Sequence, residues 1–227
     1  NDRLKTISNF SGSAGYSIIL KKKNYLFVDG RYTIQAKKES GKNFKIIDFD
    51  KIINCDLFKN LSIGFDPKLF TSIQINKFFY KNNKVKSIES NLIDQIHQPK
   101  FQLNKPFFSL NNKVVGENYK TKITKIRKYL NKNKSDYLFI TAPENVAWLL
   151  NIRGHDNPNS PIPNCHLIID NKNRFYLITY KNKVSKLITE KKLKSHQIIE
   201  PKNFKRFISN LKGKKIIIDR NTCSIFF

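Results

Sequence analysis

The sequence contains no methionine at any position, the first included. A mature protein can lose its initiator, but a complete lack is what a piece of a longer chain would show, and that is the expectation here. Cysteine is scarce. Cys55, Cys165 and Cys223 lie far apart, are odd in number and form no C-x-x-C. This argues against a zinc site and against a secreted disulfide scaffold, so three incidental thiols in a reducing cytoplasm are expected. No apolar run approaches the roughly 18 to 20 residues of a membrane span, and no N-terminal stretch has the form of a signal peptide. A membrane partner is not expected. There is no P-loop, no G-x-G-x-x-G, no H-E-x-x-H and no G-x-S-x-G. His97, His155, His166 and His196 never pair at i, i+4, and no predicted helix face carries paired carboxylates. The inventory offers neither a catalytic centre nor a metal site of its own.

Acidic residues are few as well: 17 Asp and Glu stand against 43 Lys and Arg, a formal net charge of +26. Such an excess invites a nucleic-acid reading. Three features weaken it. The lysines are spread along the whole chain. Arginines, the better readers of phosphate and base edges, are in the minority. Lysine also travels with abundant Asn and Ile, the mix that AT-rich coding DNA produces. A solvated lysine coat remains, and no nucleic-acid partner is expected.

What is present suffices for a core. The 227 residues are 39% hydrophobic and 12% aromatic, with a mean hydropathy of -0.50, enough for one large or two modest domains. Residues 1–15 read as a polar loop. Apolar runs at 16–20 and 25–28 read as two strands joined by a lysine-rich turn. A helix over 32–39 and a strand over 44–49 follow, then a short helix at 51–59 behind Asp50. A strand at 61–65 ends in Asp66-Pro67, which starts a helix reaching residue 80, and 85–88 is a further strand. Residues 97–115 show no period and contain Pro99 and Pro106. They mark a boundary, with a first domain at 1–100, a linker at 101–115 and a second domain at 116–227.

The second half opens on an amphipathic helix with Tyr119, Ile123, Ile126 and Leu130 on one face. A strand at 137–141 and a helix from Pro143, apolar nearly all round and so expected to be buried, come next. A hairpin spans 166–179, an amphipathic helix 184–193 and a strand 197–200. A helix from Pro201 turns Phe204, Phe207, Ile208 and Leu211 inward, and 215–219 is a last strand. Strands alternating with helices give an α/β class in both halves. The halves share an element order that fits two related folds in tandem, without a clean sequence repeat.

Two groups look like walls of a site. Arg31 follows Asp29-Gly30 where a strand gives way to a helix, a place where α/β folds meet ligands. Its alternative is a solvated arginine on a surface hairpin. Arg153, His155 and Asp156 sit in a loop behind the apolar helix. Their alternative is an internal Arg153–Asp156 ion pair that stiffens the loop, with His155 an ordinary loop residue. His155-Asp156 is also the one His–carboxylate neighbour pair, but adjacent residues seldom chelate one metal.

The blocks Asn9-Phe10-Ser11-Gly12-Ser13-Ala14-Gly15 and Val28-Asp29-Gly30-Arg31-Tyr32-Thr33-Ile34-Gln35-Ala36 closely resemble the start of the Xaa-Pro aminopeptidases. The likeness continues in order through Gly64-Phe65-Asp66-Pro67, through Asn91-Leu92-Ile93-Asp94-Gln95-Ile96 and through residues 141–156. It extends to Asn159-Ser160-Pro161-Ile162-Pro163. The resemblance implies two tandem creatinase/prolidase N-terminal-like domains, each a mixed β-sheet flanked by helices, the first short of its extreme N-terminus. A pita-bread catalytic domain holding two divalent metals, manganese as a rule, would lie outside these residues. It further implies a homodimer acting on peptides with proline at the second position, and a peptide contact at Arg31. Arg153, His155 and Asp156 would border the substrate entrance. No catalytic residue and no metal ligand is expected in this stretch. Ala142-Pro143-Glu144-Asn145 and Asn164-Cys165-His166 depart from the family pattern, which puts the entrance or a subunit contact in doubt there.

Two rivals stand beside the peptidase reading: a stand-alone peptide-binding or assembly module without a metal domain, and a basic nucleic-acid binder. A fluorescent DNA or RNA probe is expected to show no binding at moderate salt, where a footprint of several phosphates still registers. Salt-sensitive binding there would restore the nucleic-acid reading.

Overall fold

In the computed structural model of the protein, residues 2–52, 58–79, 83–97, 105–157 and 159–227 are described. The chain divides into two compact units, residues 1–100 with 224–227, and residues 101–223.

The first unit is built on a hairpin. Strands β1 (Gly15–Ile19) and β2 (Asn24–Val28) pair antiparallel, Gly15 opposite Val28 and Ile19 opposite Asn24. Leu26, Phe27 and Val28 are fully buried in succession, the continuous apolar run of a strand covered on both faces. Helix α1 (Asp2–Ser8) precedes the hairpin. After β2 the Asp29 carboxylate accepts the Arg31 N–H and caps a 3-10 turn at Gly30–Tyr32. That turn leads into α2 (Thr33–Ser40) and then β3 (Lys45–Asp48), parallel to β2. Strands β4 (Ser62–Phe65) and β5 (Lys84–Ser87) form a separate parallel pair joined by α3 (Ser72–Phe78). Phe27, Phe65 and Ile75 meet in one core, and Leu4, Phe10, Leu26, Val28 and Ala36 in another.

The second unit holds β6 (Phe108–Ser109), α4 (Tyr119–Lys132), β7 (Tyr137–Ile140), α5 (Pro143–Leu150) and β8 (Ile152–Arg153). They are followed by β9 (His166–Asp170), β10 (Phe175–Ile178), α6 (Ser185–Thr189), β11 (Ile198–Ile199), α7 (Pro201–Ser209) and β12 (Ile216–Ile218). One mixed sheet runs β11-β10-β9-β7-β12, and β6 pairs with β8 beside it. Leu167, Ile168 and Ile169 on the central strand β9 are fully buried, each contributing about 1.5 to 3 kcal/mol.

The two units repeat one another. In each, a helix ends on a left-handed asparagine, Asn9 (φ 61) or Asn151 (φ 52). A buried apolar residue follows, Phe10 or Ile152, and Gly12 or Gly154 stands two positions later. A hairpin comes next, then a 3-10 turn, a helix and a strand parallel to the second hairpin strand. The matching later strands, β4 and β12, both run into an aspartate turn. The Asp66 side chain accepts the Lys68 N–H at 2.9 Å, and Asp219 accepts the Asn221 N–H at 2.9 Å. The mixed α/β fold with tandem related domains is therefore as expected from the sequence.

Several local expectations differ. Residues 1–15 are not all loop, because α1 forms there. It buries only Leu4 and Ser8, too short a stripe to read as a helix. The helix expected from Pro67 begins at Ser72, because Thr71 and Gln74 form a capping box there, while Asp66-Pro67 stays in a turn. The helix expected over 184–193 is a 3-10 turn (Lys181–Val184) and the short α6. Lys191 turns left-handed (φ 54), and Lys192 and Leu193 both donate their N–H to Leu187 O. In α5, Val146, Ala147, Leu149 and Leu150 are buried as expected, but Trp148 is 61% exposed. Beyond Ile52 the short helix expected at 51–59 falls mostly outside the described residues, as do Cys55 and residues 101–104 of the expected linker.

Candidate functional site

Arg31 stands at a corner that two sequence blocks build together. The Tyr32 hydroxyl hydrogen-bonds the Ser13 hydroxyl at 2.8 Å, and its ring meets Phe10 edge-on at 5.8 Å. Ser11 donates its N–H and its hydroxyl to the Glu39 carboxylate, each at 2.8 Å, and Gln35 donates to both Ser11 Oγ and Glu39. The Ser11 N–H, first among these bonds, holds the Glu39 carboxyl below its ordinary range. Gly12 is required because the Phe10 ring lies where a Cβ would sit. On this base Asp29 accepts from Arg31 Nε at 2.9 Å and Nη2 at 3.2 Å, and from the Arg31 backbone N–H. These hydrogen bonds lower the Asp29 carboxyl and raise the Arg31 guanidinium. The Arg31 side chain remains 78% exposed. Beside it a cavity of about 770 Å³ opens where β2 and β3 end, lined by Arg3, Tyr16, Asp29, Asp48 and Phe70 among others.

Arg153, at the end of β8, and His155 and Asp156, in the loop just past it, belong to the second unit and turn to different partners. Arg153 Nη1 donates to Ala147 O at 3.2 Å and Ile152 O at 2.8 Å. Asp156 does not pair with Arg153. Its carboxylate accepts the Asn164 N–H at 2.7 Å and forms an ion pair with Lys183. The Asp156 and Lys183 side chains are only 10% and 5% exposed. His155 is exposed and stacks on Phe108 with ring centroids 5.3 Å apart. Gly154 allows the loop to pack closely, since a Cβ there would meet Pro163 at 2.8 Å.

Behind the loop, the carboxyl end of α5 gathers cations, where the unpaired carbonyls of a helix favour them. Lys122 Nζ donates to Trp148 O at 2.7 Å and Asn151 Oδ1 at 2.8 Å, and lies 4.0 Å from the centre of the Trp148 ring. Lys192 Nζ donates to Asn151 O at 3.0 Å. Burial lowers both amines, Lys192 to about 8. The sequence reading missed Lys122, Lys183 and Lys192. The available signals were a lysine on the flank of an apolar helix stripe and an asparagine just past a helix end.

Lys183→Met leaves the buried Asp156 carboxylate without its cation, a defect of about 3 to 5 kcal/mol. Urea unfolding of the second unit is expected to show that loss, and the pair Lys183→Met with Asp156→Leu to recover most of it. A neutral single variant would show that the pair does not hold the loop. For Lys192 the unfolded chain keeps its proton up to about 10.5 while the folded chain releases it near 8. Between those values the unfolded state binds more protons, so stability is expected to rise with pH across that window. In Lys192→Met the rise should shrink, a difference that unfolding curves at pH 7.5, 9 and 10.5 would read.

Comparisons with known proteins bear on both halves. The chain is 30% identical over 248 residues to Xaa-Pro aminopeptidase 1 of Dictyostelium discoideum, covering 96% of this chain and 38% of that protein. It is 32% identical over 181 residues to Xaa-Pro aminopeptidase app-1 of Caenorhabditis elegans, covering 74% of this chain and 29% of that one. The chain thus spans well under half the length of these relatives. Among solved structures, the X-prolyl aminopeptidase of Caenorhabditis elegans superposes with a TM-score of 0.79 at 26% identity. The match covers 92% of this chain and 36% of that one. That protein is described as a cytosolic enzyme with a di-nuclear active site. The Creatinase/Prolidase N-terminal domain profile matches residues 97–227. With more than half of its residues inside that match, and with the repeated sheets described above, this chain belongs to the creatinase/prolidase N-terminal domain family.

Proposed function

We propose that these residues are the non-catalytic N-terminal portion of a proline-specific metallo-aminopeptidase. The whole protein would be a cytoplasmic homodimer hydrolysing the Xaa-Pro bond at peptide N-termini. The fold match to the nematode X-prolyl aminopeptidase over most of the chain carries this reading. Among the described residues no group of three or more His, Cys, Asp or Glu side chains is placed to hold a metal ion. The described residues therefore do not fit a di-nuclear pair. In this reading the two divalent ions, manganese for preference, belong to the rest of the protein, and no step is derived through them.

The part assigned to this chain is to shape the substrate entrance and the dimer interface. Asp29 occupies one edge of the Arg31 guanidinium and holds it at a fixed angle, which leaves the other edge to donate charge-assisted hydrogen bonds to a peptide carbonyl or carboxylate. In the second unit His155 presents an exposed ring to the peptide. Arg153 and Asp156 act with it by holding the loop, Arg153 on the end of α5 and Asp156 on Lys183.

In the full-length protein, Arg31→Ala is expected to lower kcat/KM on Xaa-Pro peptides about ten-fold, the scale of one charge-assisted hydrogen bond, with metal content unchanged. Unaltered turnover across proline peptides of several lengths would remove Arg31 from substrate binding. A full-length wild type that leaves Xaa-Pro peptides uncut would overturn the reading as a whole.

A further inference from the structure

Three cations meet at the carboxyl end of α5, where the helix itself supplies only about half a negative charge. Arg153 Nη1 takes Ala147 O and Ile152 O, Lys122 Nζ takes Trp148 O and Asn151 Oδ1, and Lys192 Nζ takes Asn151 O. Among the described residues, the carboxylates that act on the two amines are Glu117 and Glu190. Each is already engaged by another lysine, Glu117 by Lys125 at 2.6 Å and Glu190 by Lys186 at 4.0 Å. Aromatic faces stand beside both amines: the Trp148 ring centre is 4.0 Å from Lys122 Nζ, and the Tyr119 ring centre 5.3 Å from Lys192 Nζ. A guanidinium keeps its proton in proteins, so the crowding is relieved at an amine. Lys122 is 4% exposed, whereas Lys192 is only half-buried. The backbone holds Lys192 in place. Lys191 turns left-handed, the Lys192 N–H donates to Leu187 O at 2.9 Å, and the Tyr119 hydroxyl donates to Lys192 O at 3.5 Å.

We propose that Lys192 is a nucleophilic amine, and the site at which this protein takes an acyl group from a small activated donor, an acyl phosphate or an acyl thioester. A lysine gains that reactivity when an apolar wall and a neighbouring cation disfavour its ammonium form. Burial first, and the Lys122 charge with it, bring Lys192 down to about 8 against the pull of Glu190. At pH 7.5 about one quarter of such amines are free, against about 0.1% of an ordinary lysine. A weaker base is also a weaker nucleophile, which takes back about ten-fold of that gain on a slope like that of thiols. An advantage of at least about ten-fold remains. In the step, the Nζ lone pair attacks the acyl carbonyl carbon and an N–C bond forms. The C–O or C–S bond breaks, the phosphate or thiolate leaves with its electron pair, and the amine proton passes to water. The product is a neutral amide that needs no counter-charge and keeps one N–H for Asn151 O, so acylation relieves the crowding without undoing the turn. This reactivity is independent of the peptidase reading.

The full-length protein can be treated with acetyl phosphate in one arm and acetyl-coenzyme A in another, and the acetylated lysines read by peptide mass spectrometry. In at least one arm the initial rate at Lys192 is expected to exceed that at the exposed flanking Lys191 and Lys194 by at least ten-fold, and the arm that labels identifies the donor. The Lys192 rate should level off as pH rises past about 8, where the amine has lost its proton. In concentrated urea the three lysines are expected to react alike, because the end of α5 no longer crowds Lys192. Labelling of Lys192 no faster than that of Lys191 and Lys194 in both arms would overturn the proposal. So would an advantage that survives in urea, since it would then belong to the local sequence and not to the cluster.

Discussion

A helix that ends inside a protein leaves carbonyl oxygens that water cannot reach. At the carboxyl end of α5 that constraint organises much of the second unit. Leu150 and Ile152 are buried, so the chain must turn without solvent, and Asn151 does so in the left-handed conformation. Trp148 O goes to Lys122, Asn151 O to Lys192 and Leu110, and Ala147 O and Ile152 O to Arg153. The Arg153 side chain is thereby drawn back onto the end of α5, the helix before its strand. Arg153 and Asp156 thus take separate partners, and the carboxylate pairs with Lys183. His155, between them, is left facing outward on Phe108.

The first unit meets the same turn more simply. Asn9 closes α1 in the left-handed conformation, its N–H donating to Lys5 O at 2.7 Å. The burden passes to Phe10, whose ring fills the space over Gly12 and braces Tyr32. One corner is therefore held by aromatic packing, hydroxyls and exposed carboxylates, the other by buried charge. The difference has a chemical consequence. Arg31 stays solvated with the edge of its guanidinium that Asp29 leaves open on offer, whereas the second unit's loop hides its cation and its carboxylate and shows only an imidazole.

Much of this could be read from the residues and some could not. The long periodic segments, such as α4 with Tyr119, Ile123, Ile126 and Leu130, and the run Leu26-Phe27-Val28, announce themselves because many side chains share one requirement. Short elements do not. Helix α1 buries Leu4 and Ser8 alone, and α6 ends early because Lys191 turns back after five helical residues. The repeat was invisible as sequence for a related reason. What the two units share is a left-handed asparagine, a glycine two positions past a buried apolar residue, and an aspartate turn. These backbone requirements constrain only a few letters each.

At the candidate site, Arg31, Arg153, His155 and Asp156 could be singled out from their position behind strands and helices, and the family from the order of its blocks. The sequence by itself determined the α/β class, the two-part layout and the residues at the corners, because apolar periodicity and turn chemistry act over a few neighbouring positions. Which of those side chains face solvent was decided only by the tertiary structure. Lys183 reaches Asp156 across 27 residues, Lys192 reaches Asn151 across 41, and Tyr32 reaches Ser13 across 19. Partners that distant leave no local pattern, since each bond depends on where the whole sheet brings the backbone.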